Sequence, residues 1–419
     1  MYLYAKGIKP NRRSCMRTVS KTVIGVDFGT QSARAVLVNA ENGEIIYSCR
    51  KEYPYNSTPV PAIDCAENLP CATDYEMTLY ELLRNVIPEE YRKTVAGICI
   101  DATSLTMVLL AEDGRALSEL DGWSEAAHAR VKLWKYHRAQ EKADEALNLA
   151  SNLQEPFLGR TGGSISCEWM LPKLLEVRDE APEIYSKIDL AMDLCEFLTF
   201  RLTGQLVRSI GSLSYKCLWA EDLSFPERTF LNGLRAGFYE EYCHFLRGDV
   251  RKPGECAGML RSELTKRWGL PEQIPVATGM LDGHTSLATM GAFEPGDAAL
   301  IVGTSNVCTV QDRKLQELKD VCGVAQEGMV TGSCGIDTGQ SSTGNMLGWF
   351  VEHMAGWQIH REAEERKISP HQVLAERIQK PWENKVIAVD WWSGSRNAPC
   401  DLTPVSYTHL RAHETDQYL

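Results

Sequence analysis

The segment VIGVDFGTQSARAVLV, residues 23–38, contains two apolar runs separated by a short polar break. Each run is typical of a strand, and the break falls at Gly29 and Thr30. Glycine lacks a Cβ atom, so a turn there can bring backbone N–H groups close to a ligand. Such N–H groups bind phosphate oxygens, and the Thr30 hydroxyl adds a donor. The segment therefore predicts an antiparallel strand pair whose turn is able to bind phosphate.

Two charged residues flank this turn. Asp27 lies where the first strand would meet a cleft, and a carboxylate there can hold Mg²⁺ directly or through water. Arg34 could pair with phosphate through its guanidinium, or could equally be an exposed strand residue, so we leave it outside the site. For the turn itself the alternative is an ordinary hairpin connection, because Gly-Thr is common in hairpins. A single turn of this kind favours the hairpin.

The same pattern occurs a second time. DAALIVGTSNVCTVQD, residues 297–312, is again a strand, a Gly-Thr break at Gly303 and Thr304, and another strand. Just before it, residues 274–292 predict a strand that runs through Gly279 to Asp282 and into a helix. Two such units suggest a duplicated domain with a cleft between the copies. With both turns facing one cleft, phosphate binding becomes the better interpretation.

Composition limits the class of protein. The chain has 419 residues with 44 Lys+Arg against 56 Asp+Glu, a net charge of −12, which argues against nucleic-acid binding. None of the 14 cysteines forms a C-x-x-C pair, so we expect free thiols in a reducing cytoplasm. No apolar run is long enough to span a membrane. We expect residues 1–20 to be a loose extension without a signal peptide, with Met16 as the natural start.

The remaining pattern predicts an α/β protein. A third strand over residues 45–53 completes an antiparallel meander, residues 75–95 predict a helix, and residues 94–101 predict a buried strand. Further helices are predicted over residues 126–150 and 168–188. Helices that cover a mixed sheet give an α/β architecture. Turn-rich sequence near residues 252–273 suggests the domain boundary.

Several separated motifs resemble one family. GVDFGTQSARA, VATGMLDGHTS and LIVGTSNV are similar to the FGGY carbohydrate kinases, which have two ribonuclease-H-like domains around a cleft and belong to the actin/hexokinase superfamily. VKLWKYHRAQEKADE, EPFLGRTGGSISCEWMLPKLLEV, SLSYKCLW and GQSSTGNMLGWFVEH resemble the family members that act on L-ribulose. The resemblance covers about residues 21–401. It implies ATP- and Mg²⁺-dependent phosphorylation of a ketopentose, with L-ribulose of arabinose catabolism as the expected sugar.

The resemblance also implies a division of the chain. Residues 21–262 would be the N-terminal sugar-binding domain, and residues 263–401 would be part of the C-terminal nucleotide-binding domain. Residues 402–419, LTPVSYTHLRAHETDQYL, match nothing in the family and look like vector or frame-shifted sequence. We expect the second domain to be incomplete without its adenine pocket, and the chain as written to be a poorly folded or inactive fragment.

One carboxylate is expected to be catalytic. A sugar hydroxyl is a poor nucleophile, so a base should accept its proton during attack. Asp282 matches the family's base and is also expected to contact the sugar; the alternative is that it caps the helix beginning near His284. We expect His284 to be structural. Gly29, Thr30, Gly303 and Thr304 would contact the phosphates, and Asp27 would hold the metal.

The sugar contacts follow from the resemblance alone. Lys216 matches a lysine at the family's sugar site, although a lone lysine is usually solvated. Asp337 stands where the L-ribulose enzymes generally carry glutamate, one methylene longer. Ser104 aligns with the stretch whose backbone meets the sugar. Trp134 and Lys135 would close over the sugar, the alternative for Trp134 being ordinary helix packing.

Three other interpretations stay open. The chain could phosphorylate another ketopentose or a polyol, or could be a sugar-binding module without catalysis. A cytoskeletal or chaperone ATPase of the same superfamily would not need the lysine at position 216. The protein could form a homodimer, which the sequence does not decide.

Overall fold

The computed structural model describes residues 21–53, 69–303, 305–340 and 343–377. Predictions for residues 1–20, for Thr304, and for residues 386–401 and 402–419 fall outside these ranges. Within them the chain forms strands in two main sheets with helices packed around them. The strands are β1 (Thr22–Phe28), β2 (Ser32–Asn39), β3 (Ile45–Glu52), β4 (Val95–Ala102), β5 (Met107–Leu110), β6 (Leu190–Asp193), β7 (Val207–Ser209), β8 (Asp249–Arg251), β9 (Cys256–Met259), β10 (Pro275–Ala277), β11 (Met280–Leu281), β12 (Ala298–Val302), β13 (Asn306–Asp312), β14 (Gly323–Gln326) and β15 (Cys334–Gln340).

The helices lie between these strands and after them. They are α1 (Ala72–Val86), α2 (Gln140–Leu153), α3 (Met170–Glu180), α4 (Pro182–Tyr185), α5 (Leu194–Thr203), α6 (Ile210–Lys216), α7 (Arg228–Leu234), α8 (Phe238–Phe245), α9 (Ser262–Trp268), α10 (Asp282–Met290), α11 (Gly344–Met354), α12 (Trp357–Arg366) and α13 (Pro370–Arg377). Short 3₁₀ helices cover Glu89–Thr94, Leu117–Glu119, Ala127–Ala129 and Pro156–Arg160. No helix in the described ranges combines the length and apolar character that a membrane span requires.

The first sheet has the strand order β3-β2-β1-β4-β10-β9, with β11 pairing with β4 as well. β1, β2 and β3 form the predicted antiparallel meander, and β4 runs parallel to β1. Along β1 the alternate residues Ile24, Val26 and Phe28 are buried, the period of a strand with one covered face. Helix α1 packs its apolar side against this face and shares one core with it.

The second sheet repeats the strand pair of the first. Its order is β12-β13-β15-β14, all antiparallel, and β12 and β13 flank Gly303 as β1 and β2 flank Gly29. Strands β10 and β11, which follow the predicted division at residue 262, pair with the first sheet. The position of the division between the two domains stays a proposal.

The predicted helix over residues 126–150 is wrong in its first half. Helix α2 begins only at Gln140, and the preceding residues form turns and a short extended piece. Lys132 exchanges two backbone hydrogen bonds with Met107, at 2.8 and 3.1 Å. Its carbonyl therefore bonds across to β5 rather than along a helix, so this tertiary pairing overrides the local helical propensity.

The side chain of Tyr215, on α6, packs against the second sheet. The Tyr215 hydroxyl donates to the carbonyl of Gly335 at 2.7 Å, and the side chain is buried. A Cβ atom added at Gly323, Gly328 or Gly335 would lie 2.8, 2.6 or 2.5 Å from an atom of this side chain. Glycine at these three positions therefore lets the second sheet contact the ring directly.

We expect Gly328→Ala to destabilise the protein, because its new methyl group would press on the Tyr215 ring. Overpacking of a buried contact costs roughly 1–3 kcal/mol. Gly348→Ala is the matched control, since it lies inside α11 with nothing within 4 Å of the added Cβ. That change should be neutral or stabilising by up to about 1 kcal/mol. Thermal denaturation of both variants measures the difference, and equal midpoints would contradict the packing.

A buried carboxyl at the end of β6 generates a second prediction. Asp193 is fully buried, and its Oδ2 accepts from the backbone N–H of Leu105 at 3.0 Å and from the Ser212 hydroxyl at 2.8 Å. Burial, with the charge of Glu196 second, raises the pKa of Asp193 to about 7. The folded state therefore binds this proton more tightly than the unfolded state, and its stabilisation is lost as the pH rises toward 7.

We expect Asp193→Asn to gain stability relative to the unmodified chain as the pH rises from about 5 to about 7, by up to about 1.4 kcal/mol per pH unit. Asparagine does not titrate and replaces aspartate well before a helix such as α5. Urea denaturation of both proteins at the two pH values measures the change. A difference in unfolding free energy that does not vary with pH would show that Asp193 titrates normally.

Candidate active site

A cavity of about 670 Å³ opens between the two sheets. Of the residues predicted to form a site, the cavity lining includes Asp27, Gly29, Thr30, Ser104, Trp134, Lys216, Asp282, Gly303 and Asp337. Lys135 is partly buried beside Trp134 but is not among the lining residues. The structure thus brings together residues that are up to 310 positions apart in sequence, from Asp27 to Asp337.

The two Gly-Thr turns face this cavity from opposite sheets. The N–H groups of Gly29 and Gly303 donate within their own turns, to Ser32 O at 3.2 Å and Ser305 O at 3.1 Å. An added Cβ would lie 3.4 Å from Ser32 O or 3.6 Å from Ser305 O, which is ordinary contact, and neither glycine has a left-handed φ. The turns themselves do not require glycine, so its contribution is open space for a ligand's close approach.

Trp134 closes one side of the first turn. Its indole N–H donates to the Thr30 hydroxyl at 3.0 Å, and the Tyr53 hydroxyl donates to Gly29 O at 2.8 Å. Trp134 lies in the non-helical stretch before α2, so the predicted alternative of helix packing does not describe it. The indole instead links the segment that carries it to the Gly29 turn.

Three carboxyl groups meet at one edge of the first sheet. Asp27 and Asp101 are register partners near the ends of β1 and β4, and β11, which pairs with Asp101, leads directly to Asp282. Because parallel strands end at the same edge, these side chains converge there. The sequence analysis did not select Asp101. Asp101 ends the apolar run TVAGICID in the same way that Asp27 ends VIGVD. This similarity is the feature of the sequence that could have identified it.

Crowding of these acids changes the state of Asp101. Burial, then the charge of Asp27 and a hydrogen bond with it, and finally the charge of Asp282 raise the pKa of Asp101 to about 9. Asp101 therefore holds its proton at neutral pH, and the hydrogen bond lies between a neutral carboxyl and Asp27. A proton on Asp101 lowers the negative charge that the three acids place at this edge of the first sheet.

Asp282 is the first residue of α10, and the residue at the N-cap position is Leu281. The predicted alternative, in which Asp282 caps a helix near His284, is therefore not what the structure contains. One carboxylate oxygen accepts from the backbone N–H of Gly283 at 2.7 Å. The positive end of the helix dipole stabilises an ionised carboxylate in the first turn.

On the opposite wall of the cavity, one carboxylate oxygen of Asp337 lies between an ammonium group and an imidazole ring. Lys216 Nζ is 3.6 Å and His284 Nε2 is 3.7 Å from Asp337 Oδ2. The Lys216 side chain is only 13% exposed, so it occupies a pocket rather than solvated surface. His284 is 3% exposed, stacks edge-on against Tyr215, and lines the cavity, which the sequence analysis did not predict.

Ser104 follows β4 in a tight turn. Its hydroxyl oxygen is buried and has no hydrogen-bond partner within the part of the chain that the structure describes. A buried hydroxyl without a partner is costly, so a polar ligand would stabilise this side of the cavity. Leu105, the next residue, has a left-handed φ of 46°, which is uncommon for a residue with a branched side chain.

A third part of the lining comes from the stretch before α3. Ser166, Glu168 and Trp169 line the cavity, and a carboxylate oxygen of Glu168 accepts a hydrogen bond from His137 Nε2 at 3.1 Å. Sequence reasoning did not include these residues, although SISCEW lies within one of the quoted motifs. Their position shows that α3 contributes its N-terminal end to the site.

The carboxylates offer oxygen ligands, which suit a hard cation such as Mg²⁺. Across the described ranges, no group of three or more His, Cys, Asp or Glu side chains is arranged to hold a metal. Mg²⁺ is usually bound by one or two carboxylates together with phosphate oxygens and water. Asp27, at the crowded anionic edge and near the Gly29 turn, fits the protein's share of such a site.

The comparisons identify relatives across most of the chain. The model for the N-terminal domain of the FGGY family of carbohydrate kinases matches residues 22–289. Ribulokinase from Halalkalibacterium halodurans is 32% identical over 392 residues, which is 91% of this chain and 70% of that protein. Ribulokinase from Mycolicibacterium smegmatis is 35% identical over 397 residues, 91% of this chain and 69% of that protein.

Solved structures show the same fold. The ligand-bound xylulose kinase from Lactobacillus acidophilus superposes with a TM-score of 0.69 at 18% identity, covering 91% of this chain and 71% of that chain. Gluconate kinase from the same organism gives 0.69 at 18% identity, with 91% and 70% covered. The predicted α/β class with an actin/hexokinase-like fold is confirmed, as is the activity class of a sugar phosphotransferase. The chain belongs to the FGGY family of carbohydrate kinases.

Proposed function

We propose that this kinase transfers the γ-phosphoryl group of ATP to a pentulose, and that the pentulose is L-ribulose, which becomes L-ribulose 5-phosphate in arabinose catabolism. The observation that carries the proposal is that Gly29, Gly303 and Asp282 line one cavity. The relatives that match nine-tenths of the chain are named ribulokinases, which supports the choice of sugar.

In this proposal Asp282 is the general base. It accepts the proton of the attacking hydroxyl, and the helix dipole together with the Gly283 N–H keeps it ionised beforehand. Asp101, which hydrogen-bonds Asp27 at the neighbouring strand end, has no role in this proton transfer.

The phosphates would lie between the turns at Gly29–Thr30 and Gly303–Thr304. The missing side chains at both glycines let a bulky anion approach the backbone of each sheet. Asp27 would hold Mg²⁺, which neutralises charge on the phosphates when it is bound. Two opposed turns would fix the triphosphate in line with the sugar, and phosphoryl transfer depends mainly on such positioning.

The sugar would lie between Asp337 and the turn that contains Ser104. Asp337 can accept hydrogen bonds from sugar hydroxyls. The Lys216 ammonium pairs with the Asp337 carboxylate and can also donate a hydrogen bond to the sugar. The Ser104 hydroxyl would find its partner on the sugar. Trp134 would cover the sugar beside the Gly29 turn, with Lys135 next to it.

Asp337 also supports a second candidate, a different pentulose. Asp337 Oδ2 lies between the Lys216 ammonium and the His284 imidazole. The side chain cannot reach farther into the cavity without losing both contacts. A sugar whose hydroxyl reached deeper would then be preferred over L-ribulose. Unpaired polar groups in a binding site reject the wrong sugar strongly.

We expect the chain to bind L-ribulose more tightly than D-xylulose, D-ribulose or ribitol, and to phosphorylate it if ATP binds as well. Isothermal titration with each sugar and, separately, with ATP measures binding, and ADP release measures transfer. Asp282→Asn should keep the sugar affinity but lower transfer by at least about 10²-fold, because the amide oxygen can still accept a hydrogen bond from the sugar hydroxyl but cannot take its proton. Sugar binding without ATP binding would favour the non-catalytic module, and tighter binding of another pentulose would exclude L-ribulose.

We expect Lys216→Met to weaken pentulose binding by about tenfold, since Asp337 loses the ammonium that holds it and the sugar loses a donor. ATP affinity should not change. Lys252→Met is the matched control, because Lys252 is also ion-paired with a carboxylate, Glu327, but lies outside the cavity. Titration of sugar and nucleotide against both variants decides the matter; equal loss of sugar binding in both would remove Lys216 from the site.

A further inference from the structure

Lys173, on α3, is fully buried. Its ammonium group donates to the carbonyl oxygens of Leu105 at 3.0 Å and Leu133 at 2.9 Å, with Lys132 O at 3.5 Å. These carbonyls belong to two separate segments of the cavity wall. A buried ammonium is costly to desolvate, so its hydrogen bonds must be well formed for the fold to keep it.

Both segments lead directly to residues of the site. Leu105 follows Ser104, and Leu133 precedes Trp134, so each carbonyl is one peptide away from a residue that lines the cavity. Leu105 itself lines the cavity in its left-handed conformation. The mechanism proposed above uses Ser104 and Trp134 but assigns nothing to Lys173.

The Leu105 residue is held from two sides. Its N–H donates to Asp193 Oδ2 at 3.0 Å, and its C=O accepts from Lys173 Nζ at 3.0 Å. A strained backbone persists only where its surroundings determine it. The carboxylate and the ammonium therefore define the conformation of the turn that presents Ser104.

Backbone hydrogen bonds also join these two segments farther from the cavity. Met107 and Lys132 exchange backbone hydrogen bonds, which join the bases of the two segments. Lys173 joins them nearer the site, one residue before Trp134 and one residue after Ser104. Trp134 in turn donates to Thr30, so this wall continues to the Gly29 turn.

We propose that Lys173 is a positioning residue of the sugar side of the cavity: by bonding Leu105 O and Leu133 O, its ammonium sets the separation of Ser104 from Trp134. It does not touch the substrate. The inference rests on the proposed function, in which Ser104 and Trp134 contact a pentulose. Losing the ammonium leaves two buried carbonyls without this donor, and the two segments can then move apart.

The chain offers a matched control in Lys132. It is also fully buried, but its ammonium faces Glu176 at 3.5 Å, His128 at 3.2 Å and the Tyr136 hydroxyl at 3.4 Å, not the Leu105 turn. The double variant Lys132→Met with Glu176→Gln removes both charges of this buried ion pair, so that neither charge is left unpaired. The glutamine introduced at position 176 can still accept the hydrogen bond from the Tyr136 hydroxyl.

The test compares Lys173→Met with this double variant in the full chain. Hydrogen exchange followed by mass spectrometry reports on the turn at residues 103–107, and titration reports the affinities for L-ribulose and ATP. For Lys173→Met we expect the exchange rate to increase more in that turn than in the first sheet, relative to the unmodified chain. We also expect the Kd for L-ribulose to rise about tenfold, with the affinity for ATP unchanged. The control should leave exchange in the turn and both affinities within about twofold.

Each result decides the proposal. Unchanged exchange at residues 103–107, or a rise spread evenly over the chain, would overturn it, as would an equal effect in the control. If the unmodified chain binds no pentulose, the proposed function fails, while the exchange comparison still tests Lys173. If Lys173→Met does not fold, Lys173→Gln takes its place, since its shorter, neutral side chain also removes the ammonium from Leu105 O and Leu133 O. Local loss of protection at residues 103–107 then supports the positioning role, and unchanged protection overturns it.

Discussion

The direct contact of the Tyr215 ring with the second sheet positions the groups that meet Asp337 on one wall of the cavity. Lys216 follows Tyr215 on α6, and the ring packs edge-on against His284, so the contact fixes both groups that face Asp337. Its hydroxyl also bonds Gly335, two residues before Asp337. One aromatic side chain therefore sets how helix α6 lies against strand β15 of the second sheet.

The electrostatic character of the site arises from strand topology. Parallel pairing of β1, β4 and β11 brings Asp27, Asp101 and Asp282 to a single edge, where three full negative charges would repel one another strongly. The protein reduces this repulsion by leaving Asp101 protonated. A phosphate-binding cavity with an anionic edge would otherwise repel its ligand, which explains why a cation suits Asp27.

The sequence predicted the parts of the fold that depend on local pattern. The meander at residues 23–53, the repeated Gly-Thr turns and the strand leading into Asp282 all follow from apolar periodicity and glycine placement. Residues 130–139 were predicted as helix because their propensity is helical, and only the distant partners Met107 and Lys173 reverse this. Asp101 and His284 were missed for a related reason, since their roles in the cavity depend on neighbours more than 70 or 50 positions away, at Asp27 and Asp337.

The glycines around Tyr215 have a consequence for how related sequences can differ. At positions 323, 328 and 335 a methyl group would meet the same ring, so none of the three can enlarge while the tyrosine stays. If a homologue carried a small residue at position 215, the restriction would disappear at position 323 and ease at position 328, where Ala325 Cβ would still lie 3.1 Å away, while Met329, 2.8 Å away, would still restrict position 335. Across the family the alignment columns of positions 215 and 323 should therefore vary together, which makes this pair a sign of the contact between α6 and the second sheet that can be read without any structure.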